Sequence, residues 1–304
     1  MLAGVRHRVP ADALLLIVVA IWSANYSVNR YGVTHGFDPI AFAGIRYLVA
    51  GIIFTAITLR REGSIRPRRE DLFVLGAFAI LGMTINQITF FYAIHLATAS
   101  TVALAFGALP AFVGLIGIAQ RVARPTARHW LATVVSVGGV ALVAVGGSTA
   151  LSGDLGGVLL VLVSVVAFAL YTISLSRLST NYSPYRLSAL ISLGVAVPLL
   201  AAGGPGFATM DWSAISGLAW GSLAYSTIPG YVIANILWIT AIDAGGPNRA
   251  SLYVNLQVFG GAAVGVLLLG ESLSTLQIVG GAVIAAGILL SVRRFRLPRG
   301  PVTE

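Results

Sequence analysis

Trp22, Asn25, Tyr26 and Asn29 stand at i, i+3, i+4 and i+7 inside an apolar run. On an α-helix that spacing puts all four on one face. Thr227, Tyr231, Asn235 and Trp238 repeat the pattern in a later run, as do Asn248, Ser251 and Asn255, with Gln257 on a neighbouring face. Asn86 and Gln87 add two more amides. These groups offer hydrogen bonds and ring faces rather than a nucleophile or an acid–base pair. Polar side chains are expensive in hydrocarbon, so they face a protein interior or a water-filled cavity. The set is a candidate lining for a cavity holding a small polar molecule. The competing reading is helix joining, because Asn, Gln, Ser and Thr also bond neighbouring transmembrane helices.

Arg46 is the one cation deep in an apolar run. It lies ~12 Å along its helix by the rise per residue. A buried guanidinium needs a carboxylate or a cluster of carbonyls. Asp38 and Glu271 fall nearer one edge, and no carboxylate is expected at its depth. Two roles stay open: a structural arginine on backbone carbonyls or reaching outward, and attraction for an anionic group such as a substrate carboxylate.

Other chemistries are excluded or unsupported. The chain has no cysteine, and all 19 basic residues are arginine. There is thus no thiol and no Schiff-base lysine. His7, His35, His95 and His129 are scattered near segment ends without metal-ligand spacing. No cofactor, metal or catalytic residue is expected.

The elements that position these residues are apolar helices. Of 304 residues 57% are hydrophobic and 10% charged, against about 25% charged in soluble domains. Runs long enough for a hydrocarbon core of about 30 Å recur at roughly 12–33, 38–60, 70–94, 97–120, 127–147, 155–178, 185–203, 212–242, 248–270 and 274–292. The seventh looks weakest, broken by Pro198. Pro110 in the fourth, and Pro229 with Gly230 in the eighth, are expected hinges, since proline removes a backbone bond and kinks a helix. Trp130 and Trp212 are expected near membrane interfaces.

The net charge of +9 is a topology signal rather than a nucleic-acid one. With the N-terminus placed inside, every arginine except Arg30 and Arg46 falls in or beside a cytoplasmic segment, as the positive-inside rule requires. Both termini are then cytoplasmic and the number of spans is even.

Residues 93–140 match 241–288 in pattern, and LLLIVVAIWSANYSVNRY resembles LLVLVSVVAFALYTISLSRL in hydropathy and aromatic placement. The chain reads as two five-helix halves, 12–147 and 154–293, joined near 146–153. Five spans starting inside end outside, so the second half is inverted, an arrangement characteristic of secondary transporters.

Trp22-Ser-Ala-Asn25, the stretch DPIAFAGIRYLVAG with Arg46, FYAIHLATASTVALAFGALP ending at Pro110, and Leu269-Gly270-Glu271 within GGPNRASLYVNLQVFGGAAVGVLLLGESLSTLQIVGG stand in order along the chain. Together they resemble the EamA branch of the drug/metabolite transporter superfamily over nearly the whole length. The resemblance implies an all-α integral membrane protein of ten transmembrane helices in two inverted EamA repeats. It also implies secondary transport, with export of small polar or amphipathic metabolites such as amino acids as the leading expectation. Uptake or exchange is the alternative within transport, and a non-transporting scaffold or receptor is the alternative of another class. The expected partners are the lipid bilayer and a small-molecule substrate. Without a mid-membrane carboxylate, facilitated diffusion or exchange is expected over strict proton antiport. The alanine-, glycine- and arginine-rich usage suggests the inner membrane of a bacterium.

Overall fold

The computed structural model describes residues 10–119, 127–149, 155–245 and 247–292. Arg6, Arg8, Arg121, Arg124, Arg293, Arg294, Arg296 and Arg299 lie outside them, as does the latter half of the expected joint between halves, 150–153. The side chains of Arg128, Asn248, Arg249 and Ser251 lie outside them too.

The described residues form α1 (Ala11–Thr34), α2 (Pro39–Glu62) and α3, in which a π-helical turn Val74–Ile80 runs into Leu81–Leu96. Helix α4 is Ala99–Ala105 and Leu109–Ala119 on either side of a 3-10 turn at Phe106–Ala108. Next come α5 (Ala127–Thr149), α6 (Leu155–Leu178) and α7 (Pro184–Ala202). Helix α8 is Gly217–Thr227 and Ala234–Gly245 about a π-helical turn Ile228–Ile233, followed by α9 (Pro247–Leu269) and α10 (Thr275–Val292). Among the described residues seven helices are long and apolar enough to cross a membrane, with shorter apolar stretches at Trp130–Gly146, Asn255–Leu269 and Thr275–Leu290. Large apolar side chains point outward, Leu267 at 79% and Phe73 at 71% exposure. In water such a surface would aggregate; in a bilayer it is the lipid face.

Local chemistry sets the helix starts. Asp38 accepts from the backbone N–H groups of Ile40 (2.9 Å) and Ala41 (2.8 Å), with Pro39 at the first helical position. Thr98, Ser183 and Ser216 cap α4, α7 and α8 in the same way. Each cap satisfies donors that the first turn leaves unpaired.

One break and one boundary differ from the sequence reading. Helix α7 runs unbroken past Pro198 to Ala202; the one N–H that proline removes is outweighed by the packing of α7 on α2. Helix α8 begins at Gly217 rather than 212. Asp211 Oδ1 accepts from Ser213 N (3.0 Å) and Oγ (2.6 Å), holding a turn ahead of the Ser216 cap.

Small residues bring the helices together. Helix α2 packs on α7, where Gly44 and Gly51 lie under Leu200 and Leu193. Helix α5 meets α10 backbone to backbone at Gly139 and Gly280. Helix α1 lies against α8 and α9, α3 against α6, and the first part of α4 against α9. Beyond its 3-10 turn, α4 turns to α5 and α6.

Candidate functional site

The polar residues of the interior form one thread across five helices. Asn86 on α3 donates to Ser164 O (2.9 Å) and Oγ (2.8 Å) on α6, and Ser164 Oγ returns a bond to Asn86 O (3.1 Å). Gln87 Nε2 donates to Asn86 Oδ1 (2.7 Å), which turns Gln87 Oε1 towards Arg46 on α2, 3.4 Å from a guanidinium nitrogen. Arg46 Nε donates to Ser226 O on α8 (3.3 Å). Ser226 Oγ donates to Asn29 Oδ1 on α1 (2.6 Å). Asn86 and Asn29 thus serve in helix joining, and Thr227 bonds back to Leu223 O within its own helix (2.7 Å).

Arg46 is 7% exposed, so it does not reach outward to an interface. Its guanidinium lies over the rings of Tyr231 (5.2 Å) and Tyr47 (5.8 Å). Tyr231 hydroxyl shares a hydrogen bond with Ser192 Oγ on α7 (3.1 Å). No carboxylate pairs with Arg46 among the described residues.

The expected faces of α1 and α8 meet at the π-helical turn of α8. Pro229 lacks an N–H, so the regular ladder cannot run through it. In the turn the N–H of Ala234 donates to the carbonyl of Pro229 rather than to that of Gly230; Trp22 Nε1 donates to the Gly230 carbonyl (3.1 Å), and the Trp22 and Trp238 rings lie 5.4 Å apart. A neighbouring helix supplying the missing partner is how membranes tolerate such breaks. Asn25 sits directly against Gly230, where a Cβ would come within 2.8 Å of Asn25 Oδ1. That oxygen is buried and has no hydrogen-bond partner among the described residues. Asn235, one turn on, is half-buried.

At the neighbouring edge of the same α1 face, Tyr26 accepts from Gln257 Nε2 on α9 (3.2 Å) and packs against Phe90 and Phe106. Asn255 is half-buried on the same helix as Gln257. Phe106 belongs to the 3-10 turn of α4, and Pro110 is the second residue of the segment that follows. There its missing N–H is tolerated. Both expected hinge sites therefore coincide with departures from regular α-helix.

A second constellation closes one end of the bundle. Gly270 ends α9 with φ +65°, a conformation that favours glycine. Glu271 then reaches back to the start of α4, accepting from Ala99 N (2.7 Å), Ser100 N (2.9 Å) and Ser100 Oγ (2.6 Å). Arg30 at the end of α1 pairs with Glu271 (3.4 Å) and donates to the carbonyls of Ile94 and Ala97 at the end of α3. A carboxylate at a helix N-terminus and a cation beside C-terminal carbonyls both suit the helix dipoles. Gln277 Nε2 adds a bond from α10 to Thr101 Oγ1 (2.8 Å).

Sequence reasoning missed Ser164, Ser192 and Ser226 as partners, and Tyr47 as a wall of the arginine site. A serine in an apolar run carries no periodic signal of its own. The role of Glu271 was also missed, although Leu269-Gly270-Glu271 stood out as a motif.

Comparison with known proteins places this architecture. A solved crystal structure superposes with a TM-score of 0.63 over 92% of this chain and 96% of its own, at 16% identity, a likeness of fold. An uncharacterized inner membrane transporter of Escherichia coli, YedA, is 25% identical over 98% of this chain and 95% of its own length. A probable terminal-alkyne amino-acid exporter of Streptantibioticus cattleyicolor is 27% identical over 92% of each chain. The profile of the EamA-like transporter family matches residues 9–145 and again 155–293. With both halves matched, on an all-helical frame whose surface is apolar and whose polar residues turn inward, the chain is a multi-pass membrane protein of the EamA-like transporter family.

Proposed function

We propose that this protein is a secondary transporter that exports small polar or amphipathic metabolites, amino acids among them, through an interior lined by α1, α3, α8 and α9. The observation that carries this reading is the buried, unpaired carbonyl oxygen of Asn25 against the break in α8. A helix-joining amide would have found a partner, because an orphaned buried polar group costs about 1–3 kcal/mol. Trp22, bonded to the same turn, and Trp238 beside it supply ring faces there. Likeness to a probable amino-acid exporter supports the same cargo class.

The architecture proposed with this function is ten spans in two inverted halves, 12–147 and 154–293. The helix pairings support it. Helix α2 pairs with α7, α4 with α9, and α5 with α10, while α3 with α6 has its counterpart in α8 with α1. A two-fold relation between halves produces such pairings. The end bearing Arg60, Arg61, Arg66, Arg68, Arg69, Arg177 and Arg186 is then cytoplasmic, with both termini, in a bacterial inner membrane. Helices α4 and α9 touch near Ala103 and Gly261 at the opposite end and then follow different neighbours. That divergence suits an interior reached from the arginine-rich side, with α4 and α8 bending at Pro110 and at Pro229 and Gly230 as access alternates. Among the described residues the carboxylate held closest to the interior, Glu271, is tied to Arg30 and the start of α4, which favours facilitated diffusion or exchange over proton antiport.

The test is metabolite profiling of medium and cytosol from cells overproducing the protein, beside cells expressing Asn235→Leu. A compound enriched outside only with the intact protein is the expected result. Depletion from the medium would replace export with uptake, and no difference in either compartment would favour a scaffold.

A further inference from the structure

Arg46 is a buried cation to which the described residues give no counter-charge. A guanidinium has five N–H donors. Among the described residues Arg46 uses two, to Ser226 O and Gln87 Oε1, at 3.3 and 3.4 Å. Both distances lie beyond the usual range for N–H···O bonds, and both acceptors are neutral. The remaining partners are the faces of Tyr47 and Tyr231. Cation–π contact does not replace an anion for a desolvated charge, whose burial costs several kcal/mol unless it is paired. A purely structural arginine would be paired with an anion, as Arg30 is with Glu271 beside two helix-end carbonyls. The two arginines of the interior thus differ in kind: among the described residues Arg30 has a carboxylate partner and Arg46 has none.

The surroundings are arranged for a small acid. Gln87 is held by Asn86, and Asn86 by Ser164, so the acceptor beside the guanidinium is fixed. Tyr231 is held by Ser192. The Tyr47 and Tyr231 rings lie 5.1 Å apart and flank the charge with flat apolar surface. A planar guanidinium matches a carboxylate through two parallel N–H···O bonds.

We infer that Arg46, framed by Tyr47, Gln87 and Tyr231, is the subsite that takes the carboxylate of the cargo, so that the protein selects small monocarboxylates, zwitterionic or anionic, over their amides. This rests on the reading of the chain as a carrier of small metabolites. The acid supplies the missing counter-charge, and an amide of the same shape does not.

The probes are butyrate, L-leucine and L-phenylalanine, each beside its amide, with the purified full chain in nanodiscs and sodium chloride matching ionic strength. Thermal unfolding reads binding, because a ligand for the folded state raises Tm by mass action. The expected result is a Tm rise with at least one acid that its amide and chloride do not give. Arg46→Gln is expected to abolish the difference, and Arg46→Lys, which lacks the fork, to weaken it about tenfold. Gln87→Glu is a second variant that does not depend on removing the arginine. It tethers a carboxylate beside the guanidinium and is expected to raise the ligand-free Tm while erasing the preference for acid. Acid and amide acting alike on the wild type, or an acid preference surviving in Arg46→Gln or Gln87→Glu, would overturn the subsite. Counterflow of the same labelled acids in proteoliposomes separates the two readings. Arg46-dependent binding without flux keeps the subsite and removes the transporter, and flux without acid preference does the reverse.

Discussion

Glu271 and Arg30 form an ion pair at 3.4 Å that ties four segments at one end of the bundle: the ends of α1 and α3, the start of α4, and the turn between α9 and α10. The carboxylate side chain is 7% exposed and the guanidinium 21%. Removing one member of a buried pair strands the other charge. Glu271→Gln is therefore expected to cost about 3 kcal/mol, the lower part of the range for such pairs because Arg30 keeps some contact with water. Arg30→Gln with Glu271→Gln together should cost less than the two separate losses added. The pair also keeps α4 on α9, where Ala103 is fully buried against Gly261. The chain has no cysteine, so Ala103→Cys gives a single reporter. A membrane-impermeant maleimide applied to that end should label it slowly alone and several-fold faster with Glu271→Gln. Equal rates would show that the pair does not hold this end closed.

Gly138 and Gly139 are neighbours on α5 with opposite surroundings. A Cβ on Gly138 meets nothing within 4 Å, whereas one on Gly139 would lie 2.8 Å from Gly280 O and 2.9 Å from Ile284 N on α10. Those are backbone atoms and cannot rotate away. Gly138→Ala should stabilise the protein by up to about 1 kcal/mol through helix propensity. Gly139→Ala should destabilise it by about 1–3 kcal/mol through overpacking. Chemical or thermal unfolding of the two variants in one lipid environment checks the difference in sign. Equal effects would mean that α5 and α10 are not in backbone contact.

Asn25 Oδ1 is the buried polar atom that the interior leaves without a partner beside Gly230. Asn25→Leu keeps the branching at Cγ and removes an orphaned acceptor, so stability should be unchanged or higher. Flux should fall at least about tenfold, the loss of roughly 1.4 kcal/mol from a lost polar contact with the cargo. Loss of stability together with flux would make Asn25 a structural residue. Unaltered flux would remove it from the cavity.

Much of this molecule is legible in the sequence because its determinants are additive along the chain. Apolar runs follow from composition within a window, and the arginine bias follows from counting segment by segment. The face that carries Trp22, Asn25, Tyr26 and Asn29 follows from the period of one helix. Helix starts are local too: Asp38 with Pro39, and the serines at 183 and 216, act within their own first turns.

What the sequence leaves open is the choice between partners on different helices. Asn25 and Asn29 share a face, yet Asn29 is bonded by Ser226 while Asn25 Oδ1 finds no partner among the described residues. Arg30 and Arg46 are both arginines in one apolar protein, yet only Arg30 finds a carboxylate, and it lies at position 271. A hydrogen bond or an ion pair is decided over about 3 Å, a distance that spacing along one helix cannot set for a residue on another. The sequence by itself therefore determined the solvent of this protein, its spans and their polar faces. Only the packing of those spans decided which polar groups are spent on holding the helices together and which, among the described residues, are left without a partner.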